Sequence, residues 1–169
     1  MERILVSACL LDQPVRYDGR AKTCDHPALA RWQAEGRLIP FCPEMAAGFP
    51  VPRPAAELLS NDAGSPSECA ARVIDARGAD VTDAFRAGAE AAVDAACRAG
   101  VCYAVLTDGS PSCGSSFVYD GSFTGARRPG AGITATLLRS AGVQVFSPDG
   151  IDELAALIET TGHHLPPSN

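Results

Sequence analysis

The sequence contains no apolar run that approaches the roughly 18 residues needed to cross a bilayer. It also has no cluster of lysine and arginine, and 14 basic side chains are outnumbered by 20 acidic ones, for a formal net charge of -6. A protein that binds a nucleic-acid polymer through its phosphates carries a basic face. The sequence therefore predicts neither a membrane span nor a nucleic-acid polymer as a partner.

Histidine is scarce, with three residues, and no Cys-x-x-Cys pair occurs among the seven cysteines. A redox dithiol therefore lacks its usual motif, and a cysteine nucleophile lacks a histidine in a segment that could serve as its partner. An odd number of cysteines without a secretory signal also does not indicate a disulfide framework. We expect reduced thiols and a cytoplasmic protein.

The 169 residues suit one domain, and 46% hydrophobic against 20% charged residues excludes disorder along the whole chain. Apolar segments alternate with amphipathic ones, which predicts strands at 3–8, 38–41, 101–106 and 143–146 and helices at 25–35, 82–99, 133–140 and 151–162. This alternation predicts an α/β fold, a single Rossmann-like three-layer domain with a mostly parallel sheet. We assign residues 1–162 to that domain and 163–169 to a C-terminal tail.

Proline and glycine are frequent between residues 42 and 67, which predicts a loop with one helical turn at 55–59. An edge strand is expected at 72–76, and Thr82 is predicted as the N-cap of the helix that follows. A further turn is expected at Tyr119-Asp120-Gly121. The irregular segments therefore lie between the predicted strands and helices.

Three cysteines follow predicted strands of the sheet. Cys9 comes after the first strand, Cys42 after the second, and Cys113 after the strand that ends at Leu106. In an open parallel sheet, ligands bind beyond the carboxyl ends of the strands, so we expect these thiols to converge on one crevice. Thiolate ligands favour zinc or an iron–sulfur cluster, and three of them leave one coordination position open for chemistry.

The other four cysteines lack this placement. Cys24 lies at a helix start, Cys69 in a loop, Cys97 near the apolar side of a helix and Cys102 within a strand. A cysteine in such a position behaves most often as a small hydrophobic residue. We interpret these four as core residues or as exposed thiols without a role.

Six segments stand out in chain order. They are Ser7-Ala8-Cys9-Leu10-Leu11, Val15-Arg16-Tyr17-Asp18-Gly19, Cys42-Pro43-Glu44, Pro52-Arg53-Pro54 with Glu57, Ser110-Pro111-Ser112-Cys113-Gly114 and Tyr119-Asp120-Gly121-Ser122-Phe123. Together they resemble the successive motifs of the thiouracil desulfurase family. The resemblance implies a Rossmann-like α/β domain that holds an oxygen-sensitive [4Fe-4S] cluster on three cysteines, which residue by residue are Cys9, Cys42 and Cys113. It also implies that a small thiolated nucleobase or nucleotide, based on 2-thiouracil or 4-thiouracil, exchanges its C=S group for C=O.

This chemistry requires water to attack the ring carbon. Glu44 is predicted to activate that water and later to deliver a proton, because it lies two residues after Cys42. The alternatives for Glu44 are a solvated loop carboxylate and an ion-pair partner for Arg53. Ser110 is predicted to bond the ring or the water, with Ser112 as its competitor for substrate contact, although both serines could instead cap the turn between them.

Several arginines are candidates for contact with the substrate. Arg16 and Arg53 are predicted to bind it, and together with Arg127 and Arg128 they would bind a phosphate if the substrate is a nucleotide. Each of these arginines could equally be a surface charge.

Two residues depart from the family pattern, since Asp12 stands where glycine is common and Thr107 where lysine is common. These departures bear on substrate preference. Two other functions remain open at this point: a non-catalytic module that binds zinc or a cluster, and an enzyme that uses the Cys113 thiol as its nucleophile. We expect a monomer or a weak homodimer.

Overall fold

The computed structural model describes residues 1–59 and 71–162 of the chain. In chain order its elements are β1 (Ile4–Ser7), α1 (Pro27–Ala34), β2 (Leu38–Phe41), α2 (Pro43–Ala46), β3 (Ala56–Leu59), β4 (Arg72–Asp75), α3 (Thr82–Ala99), β5 (Tyr103–Val105), β6 (Phe117–Tyr119), β7 (Arg127–Pro129), α4 (Ile133–Ser140), β8 (Gln144–Phe146) and α5 (Ile151–Gly162).

Four parallel strands form the central sheet in the order β2-β1-β5-β8. Side chains alternate across β1, so that Ile4 packs with Trp32 of α1 and Leu154 of α5. Leu5 faces the opposite way and packs with Leu138 of α4. The sheet is therefore covered by helices on both faces, and the predicted α/β fold with a mostly parallel sheet is confirmed.

The strand order places β1 between β2 and β5. The chain leaves β1 toward β2 on one side and later returns to β5 on the other side, so the connections diverge at β1. A crevice opens at such a switch point beyond the carboxyl ends of the strands, and it is the usual ligand site of open α/β sheets. The segments that follow β2, β1 and β5 all begin at this edge.

Local sequence signals predicted the bounds of several helices and of one strand. The observed bounds of β2, α3 and α4 are those expected from the sequence, and α1 lies within its predicted range. Thr82 is the first residue of α3 and not its N-cap, which is Val81. The backbone N–H of Thr82 donates to Asp80 Oδ1 at 3.0 Å, while Thr82 Oγ1 accepts from the backbone of Val73 at 2.9 Å.

The segment from residue 42 onward differs from the expected loop. It contains the short helix α2, and residues 56–59 form strand β3 instead of a helical turn. β3 pairs antiparallel with β4 in a separate sheet of two strands, so the edge strand expected at 72–76 is present but belongs to this small sheet. Leu58 and Val73 are buried between this small sheet and α3, and this packing outweighs the local turn signals.

A second small sheet was also not expected from the sequence. β6 and β7 pair antiparallel, with Val118 opposite Arg128. The predicted Asp-Gly turn follows β6 directly, and Gly121 has a φ of +92°. The hairpin of β6 and β7 contacts β3 and so forms a wall beside the ends of the central strands.

In the part of the chain that the structure describes, no helix is long and apolar enough to cross a membrane. The predicted tail at 163–169 and the loop cysteine Cys69 lie outside the described residues. The assignment of residues 1–162 to one domain stays a prediction.

Candidate active site

A cavity of about 490 Å³ lies at the carboxyl ends of β2, β1 and β5. Cys9, Cys42 and Cys113 all line it, together with Glu44 and Ser110. Its volume falls within the roughly 300–1,000 Å³ that is typical of small-molecule sites. The structure thus brings these five predicted residues, from three separate segments, to one place.

Cys9 lies in a tight 3-10 turn, Ala8–Leu11, that continues directly from β1. The turn closes at Asp12, whose backbone N–H donates to the Ala8 carbonyl and whose φ is +64°. Glycine adopts this left-handed conformation most easily, and aspartate tolerates it better than most residues. Asp12 does not line the cavity, and the left-handed backbone accounts for a preference for glycine at this position. The effect of Asp12 on substrate preference stays a prediction.

Cys42 and Glu44 are positioned by α2, which follows β2. The helix starts at Pro43, directly after Cys42. It rests on α3 at Gly88, where a Cβ atom would collide with the Pro43 carbonyl group. The absence of a side chain at Gly88 therefore lets α3 support the segment that carries both predicted site residues.

Cys113 lies in a loop that is fixed from two sides. Ser110 Oγ accepts hydrogen bonds from the backbone N–H groups of Ser112 at 3.0 Å and Cys113 at 3.1 Å. On the other side, the backbone N–H of Thr134 in the first turn of α4 donates to the Ser112 carbonyl at 2.9 Å. The backbone that carries Cys113 is consequently held by hydrogen bonds from both sides.

The pKa of each of these three thiols is raised, chiefly by burial. Negative charge on Cys42 raises the pKa of Cys9 further. For Cys113, a hydrogen bond from Ser7 lowers the pKa, while negative charges on Cys9 and Cys42 raise it in addition to burial. The three thiols are therefore close enough to affect one another, and each is protonated at neutral pH. A protonated, buried thiol is a poor nucleophile, which counts against unassisted attack by Cys113.

Two basic residues lie near Cys9. The charges of Arg16 and Lys22 lower its pKa, opposing burial, and both side chains line the cavity. Arg16 Nε is 3.5 Å from Asp18 Oδ1 and makes no hydrogen bond among the described residues. The predicted contact of Arg16 with substrate stays a prediction, and its position at the cavity agrees with it.

Glu44 is paired with Arg53. Arg53 Nε lies 2.6 Å from Glu44 Oε2, and the two side chains are only 4% and 15% exposed. The ion pair that was one alternative for Glu44 therefore exists, but it holds the carboxylate inside the cavity. Arg53, predicted as a substrate contact, directs its guanidinium group at Glu44.

The two serines have different surroundings. Ser110 Oγ already accepts two backbone hydrogen bonds, so its own O–H is directed at Glu44 Oε1, at 3.4 Å. Ser112 is 1% exposed, and its hydroxyl lies 2.8 Å from Thr134 Oγ1, away from the residues that line the cavity. This geometry favours Ser110, and not Ser112, as the hydroxyl that a bound molecule would meet.

The remaining described cysteines lie elsewhere. Cys97 and Cys102 are exposed, and Cys24 is half-buried beside the core. None of them lines the cavity. Cys97 and Cys102 are therefore exposed thiols and not core residues, which were the two predicted alternatives.

Sequence reasoning missed the wall that the β6–β7 hairpin contributes. Tyr119 and Arg127 line the cavity from this wall. Glu57, which is 8% exposed, accepts hydrogen bonds from the backbone N–H groups of Gly121 and Phe123, both at 3.0 Å, and so ties the hairpin to β3. A single carboxylate inside an otherwise apolar strand is the signal that could have identified Glu57 as a buried hydrogen-bond acceptor.

Comparisons with known proteins agree with this geometry. The family model for 2-thiouracil desulfurase matches residues 4–150. An uncharacterized protein of Bacillus subtilis (strain 168), YbbK, is 33% identical over 151 residues, which cover 89% of this chain and 99% of that protein. A solved structure of the [4Fe-4S]-dependent thiouracil desulfidase TudS is 46% identical, with a TM-score of 0.85, and the match covers 95% of this chain and 99% of that one.

Proposed function

The chain belongs to the 2-thiouracil desulfurase family, and we propose that it converts the C=S group of a thiolated pyrimidine into C=O by means of a [4Fe-4S] cluster. The proposed substrate is 2-thiouracil, 4-thiouracil or a corresponding nucleotide, and the second product is sulfide. One observation carries the proposal: three thiols from separate segments and a carboxylate beside one of them line a single cavity.

Cys9, Cys42 and Cys113 are the proposed ligands, and they fit such a cluster. Thiolates are the usual ligands of iron–sulfur clusters, and a metal ion lowers the thiol pKa so that the proton is displaced on binding. No three His, Cys, Asp or Glu side chains among the described residues are close enough to hold a single metal ion. All three cysteines line the same cavity of about 490 Å³, which offers room for a cluster of several irons.

When bound to three thiolates, the cluster would supply an iron without a protein ligand, a Lewis acid suited to the soft sulfur of a thione. The overall reaction is a hydrolysis. Oxygen from water replaces sulfur on the ring carbon, sulfur leaves as hydrosulfide, and no electrons are gained or lost. The protein must therefore bind the ring, place the water and move protons.

Glu44 is the proposed proton-transfer group. Its carboxylate is 15% exposed, so water reaches it, and it lines the same cavity as the proposed cluster ligands, where its negative charge adds to burial in raising the pKa of Cys113 and Cys42. A carboxylate in this position takes a proton from the water that attacks the ring carbon and returns it to the departing group. A positioned acid–base group of this kind contributes roughly 10²–10⁴ in rate.

Ser110 is the proposed hydrogen-bond donor to the substrate or to the attacking water. Its hydroxyl oxygen is occupied by two backbone N–H groups, so the O–H can only donate. The 3.4 Å distance to Glu44 makes that hydrogen bond a weak one. Ser110 can therefore transfer its hydrogen bond from Glu44 to a bound molecule at little cost.

A single chain supplies every residue proposed for the site, and we propose a monomer or a weak homodimer. The six described cysteines are free thiols. Because free thiols and an iron–sulfur cluster both require reducing conditions, we propose a cytoplasmic location.

The experiment is anaerobic reconstitution of the protein with iron and sulfide, followed by incubation with 2-thiouracil, 4-thiouracil and their nucleotides. We expect uracil, or the matching oxo nucleotide, and sulfide to form in equal amounts from at least one substrate. Cys113→Ser should be inactive, while the matched change of an exposed cysteine, Cys102→Ser, should retain activity. A reconstituted protein that desulfurates none of these compounds, or that is isolated anaerobically with zinc and without labile sulfide, contradicts the proposal.

A further inference from the structure

Each of the three nitrogen atoms of the Arg53 guanidinium group donates a hydrogen bond within the protein. Nε donates to Glu44 Oε2 at 2.6 Å, Nη2 to the Val15 carbonyl at 2.9 Å and Nη1 to the Pro50 carbonyl at 3.3 Å. The Arg53 backbone N–H also donates, to the Tyr17 carbonyl at 2.9 Å. Turning the side chain toward a ligand would break these contacts and leave a largely buried carboxylate without its partner.

The two oxygens of Glu44 are held unequally. Oε2 receives the short, charge-assisted bond from Arg53, whereas Oε1 receives only the 3.4 Å contact from Ser110. Short bonds between ionised groups are about twice as strong as neutral ones, and a bond near 3.5 Å is weak. Oε1 is therefore the oxygen that can exchange partners.

We propose that Arg53 is a positioning residue that holds Glu44 by Oε2 and leaves Oε1 to take the proton from water and return it. This role rests on the proposed function and replaces the predicted contact between Arg53 and substrate. In the transfer, one O–H bond of water breaks as one O–H bond to Oε1 forms, and that O–H bond later breaks as the proton passes to the sulfur that leaves as hydrosulfide.

Lysine cannot take over this role. The planar guanidinium reaches three acceptors in different directions at once, while a lysine ammonium is a compact charge on a flexible stem. Arg53→Lys should keep the charge beside Glu44 and lose the fixed orientation. A small misplacement of a catalytic group can cost about 10²-fold in rate.

The first test is a kinetic double-mutant cycle on the reconstituted enzyme with thiouracil. Arg53→Lys alone should lower kcat about 10-fold to 100-fold with KM nearly unchanged. In the Glu44→Gln background, the same Arg53→Lys change should cause no further loss, because its effect acts through Glu44. A large rise in KM, or losses that multiply across the cycle, overturns the positioning role.

Arg72 provides the matched control. It also bonds a carboxylate, Asp80 at 2.8 Å, but its side chain is 55% exposed and does not line the cavity. Arg72→Lys should leave kcat, KM and cluster content unchanged, which separates the loss of orientation at Glu44 from a general effect of replacing arginine by lysine.

Two further measurements do not depend on turnover. In thermal unfolding of the metal-free protein, Arg53→Lys and Glu44→Gln should each lower Tm by about 5–10 °C, and the double variant should lower it no further than the more damaging single change. Additive Tm shifts in the double variant would overturn the proposed pairing of Arg53 with Glu44. Because this measurement needs no turnover, its result holds even if the wild-type protein does not desulfurate thiouracil and the proposed function fails.

If the Arg53→Lys variant does not fold, a crystal structure of the wild-type protein soaked with thiouracil tests the positioning role of Arg53 instead. Arg53 should still bond Glu44 Oε2, with the ligand nearer to Oε1. A hydrogen bond between the ligand and the Arg53 guanidinium group overturns the proposal.

Discussion

The hydroxyl oxygen of Ser110 lies 3.4 Å from Oε1 of Glu44, although 66 residues separate the two in the chain. Ser110 belongs to the loop after β5, and Glu44 lies in α2, directly after β2. Because β1 lies between these strands in the sheet, the contact spans the end of β1, where Cys9 is located. The proposed acid–base group and its hydrogen-bond donor thus approach the cysteines from opposite sides.

Replacing the cysteines one at a time should separate ligands from bystanders. Cys9→Ser, Cys42→Ser and Cys113→Ser should each abolish or destabilise the cluster, because each removes one of three thiolates. Cys24→Ser, Cys97→Ser and Cys102→Ser should retain it, since none of these thiols lines the cavity. Iron and sulfide content and visible absorbance after anaerobic reconstitution measure the outcome. Equal loss of the cluster in all six variants would contradict the assignment of Cys9, Cys42 and Cys113 as its ligands.

Glu44→Gln should keep the cluster and the affinity for thiouracil but reduce kcat by roughly 10²–10⁴, because the amide preserves size and cannot accept the proton. Single-turnover kinetics with cluster content measured on the same sample gives the comparison. A Glu44→Gln variant that contains a full cluster and converts thiouracil at the wild-type rate would exclude this role for Glu44.

Ser110→Ala and Ser112→Ala should have different effects. Ser110→Ala removes an acceptor for two backbone N–H groups and the donor to Glu44, so we expect both a lower kcat and a less stable cluster. Ser112→Ala leaves the buried Thr134 hydroxyl without its partner, which should cost about 1–3 kcal/mol of unfolding free energy. Urea unfolding and steady-state kinetics, measured on both variants, distinguish an effect on stability from an effect on turnover. A larger loss of kcat in Ser112→Ala than in Ser110→Ala would show that Ser112, and not Ser110, contacts the substrate or the attacking water.

Gly88→Ala should disturb the site from a distance. In an exposed helix this change stabilises by about 1 kcal/mol, but here the new Cβ would collide with the Pro43 carbonyl between Cys42 and Glu44. We expect a net destabilisation of about 1–3 kcal/mol and weaker cluster retention. Gly150→Ala is the control, because its Cβ would approach nothing closer than a Phe146 side-chain atom at 3.4 Å. Equal cluster content in the two variants contradicts the proposed support of α2 by α3.

Asp108 should contribute stability that depends on pH. Partial burial raises its pKa, but hydrogen bonds from Ser116 and Ser115 outweigh burial and hold the pKa below the ordinary value of 3.8. A depressed pKa in the folded state stabilises the fold above that value, and the contribution is lost as the pH falls through the folded pKa. Asp108→Asn should therefore lower Tm at pH 7, and the difference from wild type should shrink below pH 3.8. A difference that is constant with pH would exclude this contribution.

The elements with a clear local pattern were predictable from the sequence. The bounds of α4 and β2 follow from apolar periodicity and flanking signals, and Gly100 closes α3 with a φ of +63°, as expected. The strand expected at 72–76 is present as β4, but its pairing with β3 and the β6–β7 hairpin were not predictable, because the residues of a short strand do not encode its partner. Their formation depends on partners elsewhere in the fold, such as the contact between Glu57 and the backbone of Gly121.

By itself, the sequence determined which cysteines follow strands of the sheet and which motifs surround them, because strand ends are marked by local apolar runs and turn residues. Only the tertiary structure decided that β2, β1 and β5 are neighbours, that Arg53 faces Glu44, and that Ser112 turns toward Thr134 and away from the cavity. The direction of a loop side chain is set by hydrogen bonds to elements distant in the chain, and no local pattern encodes those partners.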